Sequence, residues 1–233
     1  MLKIAVFVVL CSIPFVNHAQ QNNWGKGLSI EISGFQASAN RIHGEFDTKA
    51  RPGFGAALLK RFPVSQKWSI ETGIGFTKFN PQFTFYNPSM DPATVNGTEN
   101  FLLWGLNANL YYLRIPLFVT YNHGLTPKSA LNFSAGINTR VLVAHKVTEY
   151  GNFRWDGMED LQNYNPLPII SPQVAIGYSY ALKNNSGIHL EAFTGRDMNR
   201  FVDNYWNSDL GTGSLSYFGL NLRYTFGRSV RVK

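Results

Sequence analysis

The stretch "YYLRIPLFVTY", residues 111–121, decides how this chain folds. It has the length and aromatic weight of a buried strand, yet Arg114 and Pro116 lie inside it. Successive side chains of a strand point to opposite faces. Leu113, Ile115, Leu117 and Val119 then share one face, and Tyr112, Arg114, Pro116, Phe118 and Thr120 share the other. The first face is wholly apolar, and the second carries a charge. Pro116 removes one ladder donor and marks a local bend or bulge.

The same period of two recurs in seven further segments between Gly- and Asn-rich breaks. They span 28–33, 53–62, 68–76, 131–143, 169–182, 187–195 and 217–226. Short links (63–67, 122–130 and 183–187) follow the second, fourth and sixth segments. Long links (34–52, about 80–106, 144–167 and 196–213) follow the odd ones. This pattern predicts an all-β, eight-stranded antiparallel up-and-down transmembrane β-barrel, with short periplasmic turns and long extracellular loops.

A soluble barrel also alternates, but with its apolar face inward. Three features select the inverted arrangement. Small Gly, Ser and Asn residues collect on the polar faces, which suits a narrow interior. Aromatics collect at strand ends (Trp68, Tyr111, Tyr121, Tyr178, Tyr180, Phe226), where an interfacial girdle lies. The polar faces also balance Glu31, Glu71 and Glu191 against Arg114, Arg140 and Arg223. These six residues are expected to form a structural charge network in the lumen, because an Arg facing lipid at the midplane costs about 2–4 kcal/mol.

The totals agree. Charged residues are 15% of the 233, well below the roughly 25% of soluble proteins, and aromatics are also 15%. The net charge is +7, but the cations are scattered and form no stripe of the kind that neutralises phosphates, so nucleic acid is not an expected partner. Residues 1–19, with Lys3 before an apolar run and Ala19 at the end, read as a secretory signal peptide; 20–233 is then the outer-membrane barrel domain. The single cysteine, Cys11, lies within the leader, so the mature chain has neither disulfides nor thiolate metal sites.

At 112–121 the chain resembles the PorT-like outer membrane β-barrel proteins of Bacteroidetes. Those carry a strand of the form Tyr-Leu-Glu-Ile-Pro-Leu followed by apolar residues, Lys and Tyr. Here it reads Tyr112-Leu113-Arg114-Ile115-Pro116-Leu117, then Phe118-Val119-Thr120-Tyr121. Arg114 departs from the usual Glu and Thr120 from the usual Lys. Looser matches are Ala135-Gly136, Gly177-Tyr178 and the closing "LRYTF". The resemblance implies outer-membrane lipids around the barrel, insertion by the outer-membrane assembly machinery, and surface or secretion complex proteins as partners. It implies no activity.

Small barrels that are enzymes use His with Ser or Asp/Glu at the outer rim. His43 and His145 could reach that rim near Glu45, Asp47 and Glu149, but no spacing marks a nucleophile and base. His123 falls in a periplasmic turn, and His189 begins the seventh strand. No cluster has metal-ligand spacing, no Gly-rich phosphate loop occurs, and no cofactor is implied. The expected function is that of a non-enzymatic integral outer-membrane barrel, structural or accessory to a surface or secretion assembly. Two alternatives stand beside it. One is a rim-active lipid-modifying enzyme. The other is a binder of an extracellular ligand through the aromatic-rich loops 82–104 and 149–165. An eight-stranded interior is filled by side chains, so an open pore is not expected.

Overall fold

The computed structural model describes residues 27–40, 46–86, 103–151, 168–183, 186–198 and 214–226. The expected signal peptide 1–19, His43, Glu45 and most of both aromatic-rich loops lie outside the described residues. Ten strands are formed: β1 (Leu28–Asn40), β2 (Phe46–Lys49), β3 (Arg51–Pro63), β4 (Trp68–Phe79), β5 (Gln82–Tyr86), β6 (Leu103–Thr126), β7 (Ser129–Gly151), β8 (Ile169–Ala181), β9 (Gly187–Arg196) and β10 (Ser214–Thr225). Their order is β2-β5-β6-β4-β3-β1-β10-β9-β8-β7, and β7 pairs back onto β6.

The sheet therefore closes as an antiparallel barrel of eight staves. β2 and β5 continue the β3 and β4 staves past short breaks. At the second break Asn80 Nδ2 donates to Pro52 O (2.8 Å) and Ala108 N to Pro81 O (3.0 Å), so neighbouring staves stay joined. Closure leaves no unpaired edge within the barrel, which lipid would not tolerate.

Facing follows the alternation. Leu113, Ile115, Leu117 and Val119 are 36–49% exposed on the outer wall, while Tyr112, Arg114, Pro116, Phe118 and Thr120 are buried in the lumen. The whole wall repeats this inversion. Ile32, Phe54, Ile74, Val174, Ile176, Leu190 and Leu220 are exposed; Ser29, Glu31, Glu71, Asn132, Asn138 and Gln173 are buried. Trp68 packs against Tyr121 (ring centroids 5.0 Å apart) and Tyr224 against Phe226 (5.1 Å) at the turn end, as an aromatic girdle requires.

The strands are longer than their alternation. Residues 122–130 are not a loop: β6 and β7 run to Thr126 and from Ser129, leaving Pro127 and Lys128 as the turn. Thr126 Oγ1 accepts from Lys128 N there (3.2 Å) and bonds Ser129 Oγ (2.7 Å). At the other end the expected loops 34–52, 80–106 and 144–167 are partly strand, because β1 reaches Asn40, β5 intervenes and β7 reaches Gly151. β2, β5 and the far ends of β6 and β7 thus form a paired wall standing above the barrel.

Pro116 produces no bulge. It pairs in register with Asn138 on β7, and the shifts in that ladder lie at Tyr111/Tyr112 and Gly124/Thr126. What lapses is the β4 side. Pairing stops between Thr72↔Leu117 and Gly75↔Arg114 and resumes in the same register. The missing N–H costs ladder bonds locally without shifting a side chain to the other face.

Candidate functional site

The lumen holds the protein's concentrated chemistry, stacked in three layers. Nearest the short turns a line of hydrogen bonds crosses five strands. Asn132 Nδ2 donates to Ser179 Oγ, Ser179 Oγ lies 2.5 Å from His189 Nδ1, His189 Nε2 lies 3.0 Å from Thr225 Oγ1, and Thr225 meets Ser29 Oγ at 2.9 Å. A hydroxyl beside an imidazole is the pairing a nucleophile and base would use. Ser179 and His189 are 1% and 0% exposed, however, so no substrate reaches them. They serve here as links in a buried hydrogen-bonded line.

Above it lies the charge cluster. Arg223 is its hub: Nη2 is 2.7 Å from Glu31 Oε2 and 3.2 Å from Glu191 Oε2, and Nη1 is 2.7 Å from Glu71 Oε2. Arg114 Nη2 pairs with the other oxygen of Glu31, and Arg61 Nε is 3.2 Å from Glu71 Oε2. Three arginines thus meet three glutamates in a neutral, buried set.

Register explains how the partners reach one another. Glu31 stands directly across from Arg223 on one side and from Ala57 on the other. Ala57 faces Gly75, and Gly75 faces Arg114. Arg114 therefore stretches over two strands whose inward residues are nearly bare. A Cβ at position 75 would stand 2.7 Å from Ala57 Cβ, 2.8 Å from Ala56 O and 3.0 Å from Arg114 Nε. Gly75→Val is expected to cost about 1–3 kcal/mol by overpacking and to push Arg114 off Glu31. Combined with Arg114→Met, the loss in unfolding free energy should be less than additive. Full additivity in detergent denaturation would show that the bare floor and the arginine are unrelated.

Arg140 does not join this cluster. It lies directly across from Arg114 on the neighbouring strand, and like charges directly opposite repel. The two side chains leave in different directions. Arg140 pairs with Asp197 and donates to Ser171 Oγ (3.0 Å), whose hydroxyl donates to Asp197 Oδ1 (2.7 Å). Its guanidinium lies 4.3 Å from the Phe79 ring centre, 5.1 Å from that of Tyr112 and 5.4 Å from that of Tyr217. Phe35, Phe193 and these rings pack in edge-to-face and tilted pairs and form the third layer, with Phe35 and Phe79 centroids 4.8 Å apart.

Five of the six expected network residues (Glu31, Glu71, Glu191, Arg114 and Arg223) meet in one cluster, and Arg140 makes a second pair. The sequence reading missed Arg61 and Asp197. In "LLKRF" both faces receive one leucine and one cation, so polarity does not set the parity. The signal that would have found Arg61 is the pairing Arg61↔Glu71 across the short turn. Asp197 follows the last residue of β9, beyond the alternation.

Among the rim candidates, His145 is exposed on β7 and His123 is exposed near the short-turn end. Among the described residues no group of three His, Cys, Asp or Glu could hold a metal ion.

The description "outer membrane protein beta-barrel domain" belongs to a protein family whose pattern matches residues 18–228. Similar solved structures include Ail, the attachment invasion locus protein of Yersinia pestis. It is 14% identical, covers 86% of this chain and 99% of its own, and has a TM-score of 0.39. Neisserial surface protein A is 12% identical over 86% of this chain and 98% of its own, with a TM-score of 0.44. OprG of Pseudomonas aeruginosa is 12% identical over 88% and 99%, with a TM-score of 0.43. No curated protein sequence matches the chain.

Proposed function

The chain belongs to the outer membrane protein beta-barrel domain family, and on that premise we propose that it is a non-catalytic, PorT-like accessory subunit of a surface or secretion assembly. It resides in the outer membrane, with its short turns in the periplasm. The observation that carries the reading is the filled lumen. Among the described residues, the charged side chains and the one histidine of the inner wall are buried and engaged in ion pairs or hydrogen bonds, from the Ser179–His189 line up to the Arg140–Asp197 layer. Such an interior supports neither passage nor turnover, and leaves the outside of the barrel to act.

The wall of β2, β5, β6 and β7 above the barrel supports a protein partner, because paired strands offer a broad, rigid face rather than a cleft. The Tyr112–Leu117 strand, with Ile115-Pro116-Leu117 intact, supports the PorT-like assignment, although Arg114 replaces the usual Glu.

A photo-crosslinker tests this directly in living cells. Placed at exposed Thr148 on the wall, it should capture a surface or secretion protein in stoichiometric yield; placed at Ile176 on the barrel it should capture none. Absence of any protein adduct from the wall, together with acyl transfer or hydrolysis by the protein in lipid vesicles, would replace this reading with the enzymatic one.

A further inference from the structure

The four acidic side chains that the structure describes, Glu31, Glu71, Glu191 and Asp197, are all buried inside. On the outer wall the described side chains include cations but no acid. Lys60 lies near the periplasmic end, its Nζ 5.0 Å from the Phe62 ring centre. Lys78 lies near the opposite end. It points outward between buried Thr77 and Phe79 and stands directly across from Phe54 and Tyr111. Its Nζ is 5.9 Å from the Phe54 ring centre and 5.4 Å from that of Tyr111, and Tyr111 stacks on Phe76.

Lys78 is ten residues above Trp68, the first residue of its strand. At about 3.3 Å per residue and a tilt near 40°, that is about 25 Å, the height of a barrel's apolar band. The ammonium therefore sits at the outer-leaflet boundary, held up by an aromatic clasp.

A notch opens beside it. Gly34 faces outward, directly across from Phe54 on one side and Leu220 on the other. Nothing lies within 4 Å of where its Cβ would be. Phe54 and Leu220, both more than half exposed, stand up as its walls. The notch belongs to an open apolar depression of about 900 Å³ that continues past Leu220 and over Ala192 to Ile176. Gly34 stands two strands from Lys78 along the register, through Phe54, and at a tilt near 40° that line descends toward the short-turn end, so the notch lies deeper in the bilayer than Lys78, by roughly 6 Å.

A cation at the outer boundary with an apolar notch beneath it has the polarity of an outer-leaflet lipid. We infer that this wall binds an anionic outer-leaflet lipid, its phosphate on the Lys78 ammonium and one acyl chain in the notch over Gly34, between Phe54 and Leu220. An inner-leaflet lipid would place its headgroup at the wrong end.

The test uses the mature chain in phosphatidylcholine nanodiscs titrated with lipid A. Lys78→Gln should weaken lipid A binding about fivefold, the effect of one cation near an anionic surface, and Lys78→Arg should retain it. Gly34→Leu should weaken it as well; Lys128→Gln, in a periplasmic turn, should not. Dephosphorylated lipid A should bind wild type more weakly and be indifferent to Lys78→Gln, and millimolar inorganic phosphate should not compete. Gel migration of the unheated variants checks that each is folded, with Gly34→Val replacing Gly34→Leu if the latter does not insert. Undiminished binding by Lys78→Gln or by the Gly34 variant would overturn the inference. So would an equal loss in Lys128→Gln, or displacement of the lipid by free phosphate.

Discussion

Replacing Arg223 with Met is expected to destabilise the barrel by about 3–5 kcal/mol, the range found when one partner is removed from a buried ion pair. Arg223 touches Glu31, Glu71 and Glu191, so its loss leaves three carboxylates close together around one empty position. Arg61 and Arg114 still hold Glu71 and Glu31. Glu191 has no other cation partner among the described residues, and its second oxygen finds no donor. The double variant Arg223→Met/Glu191→Gln should therefore recover the largest part of the loss. Pairing Arg223→Met with Glu71→Gln or Glu31→Gln should recover less, because each then leaves Arg61 or Arg114 short of a carboxylate. Arg114→Met alone removes one pair and should cost less than Arg223→Met. The midpoint of the heat-induced gel shift, read across the double-mutant cycles, measures these couplings. If Glu191→Gln rescues no better than Glu31→Gln, the hub is not Arg223.

The facing of the eight staves was legible because lipid imposes it. Outward positions in the band are mostly apolar, with Thr72 among the exceptions, so the period of two survives in the sequence where the strand crosses the membrane. Outside the band that pressure ends. The far halves of β6 and β7 pair from Asn109↔Lys146 to Trp104↔Gly151; the β7 side, Lys146–Gly151, has no period of two in its sequence, whereas Trp104, Leu106 and Ala108 on the β6 side do alternate with Gly105, Asn107 and Asn109. The turn at Pro127–Lys128 was hidden in the same way, behind Asn122, His123 and Gly124.

Within the lumen the sequence could name charges but not partners. Partner choice depends on register between distant strands, as when Arg114 reaches Glu31 across Gly75 and Ala57. It also depends on repulsion. Arg114 and Arg140 look equivalent along the chain, yet their direct opposition sends them to different layers.

Leu117→Arg is expected to block stable insertion into lipid vesicles. Leu117 is 49% exposed on the outer wall, in register with Thr72 on one side and Ile137 on the other. Thr72 is four residues above the start of its strand, which places Leu117 about 10 Å inside the apolar band. A guanidinium there has no carboxylate to meet, because the described glutamates face the lumen. The expected cost is about 2–4 kcal/mol, a large share of a marginal folding free energy. The same change at Leu125 is the internal control. Leu125 is 50% exposed on the same strand and the same face, eight residues nearer the turn, where Lys128 already sits in water. Because the penalty depends on depth, Leu125→Arg should insert almost as well as wild type. Identical insertion of the two variants, in either direction, would mean that exposure on this strand does not report burial in lipid. The outward face of β6 would then need another solvent.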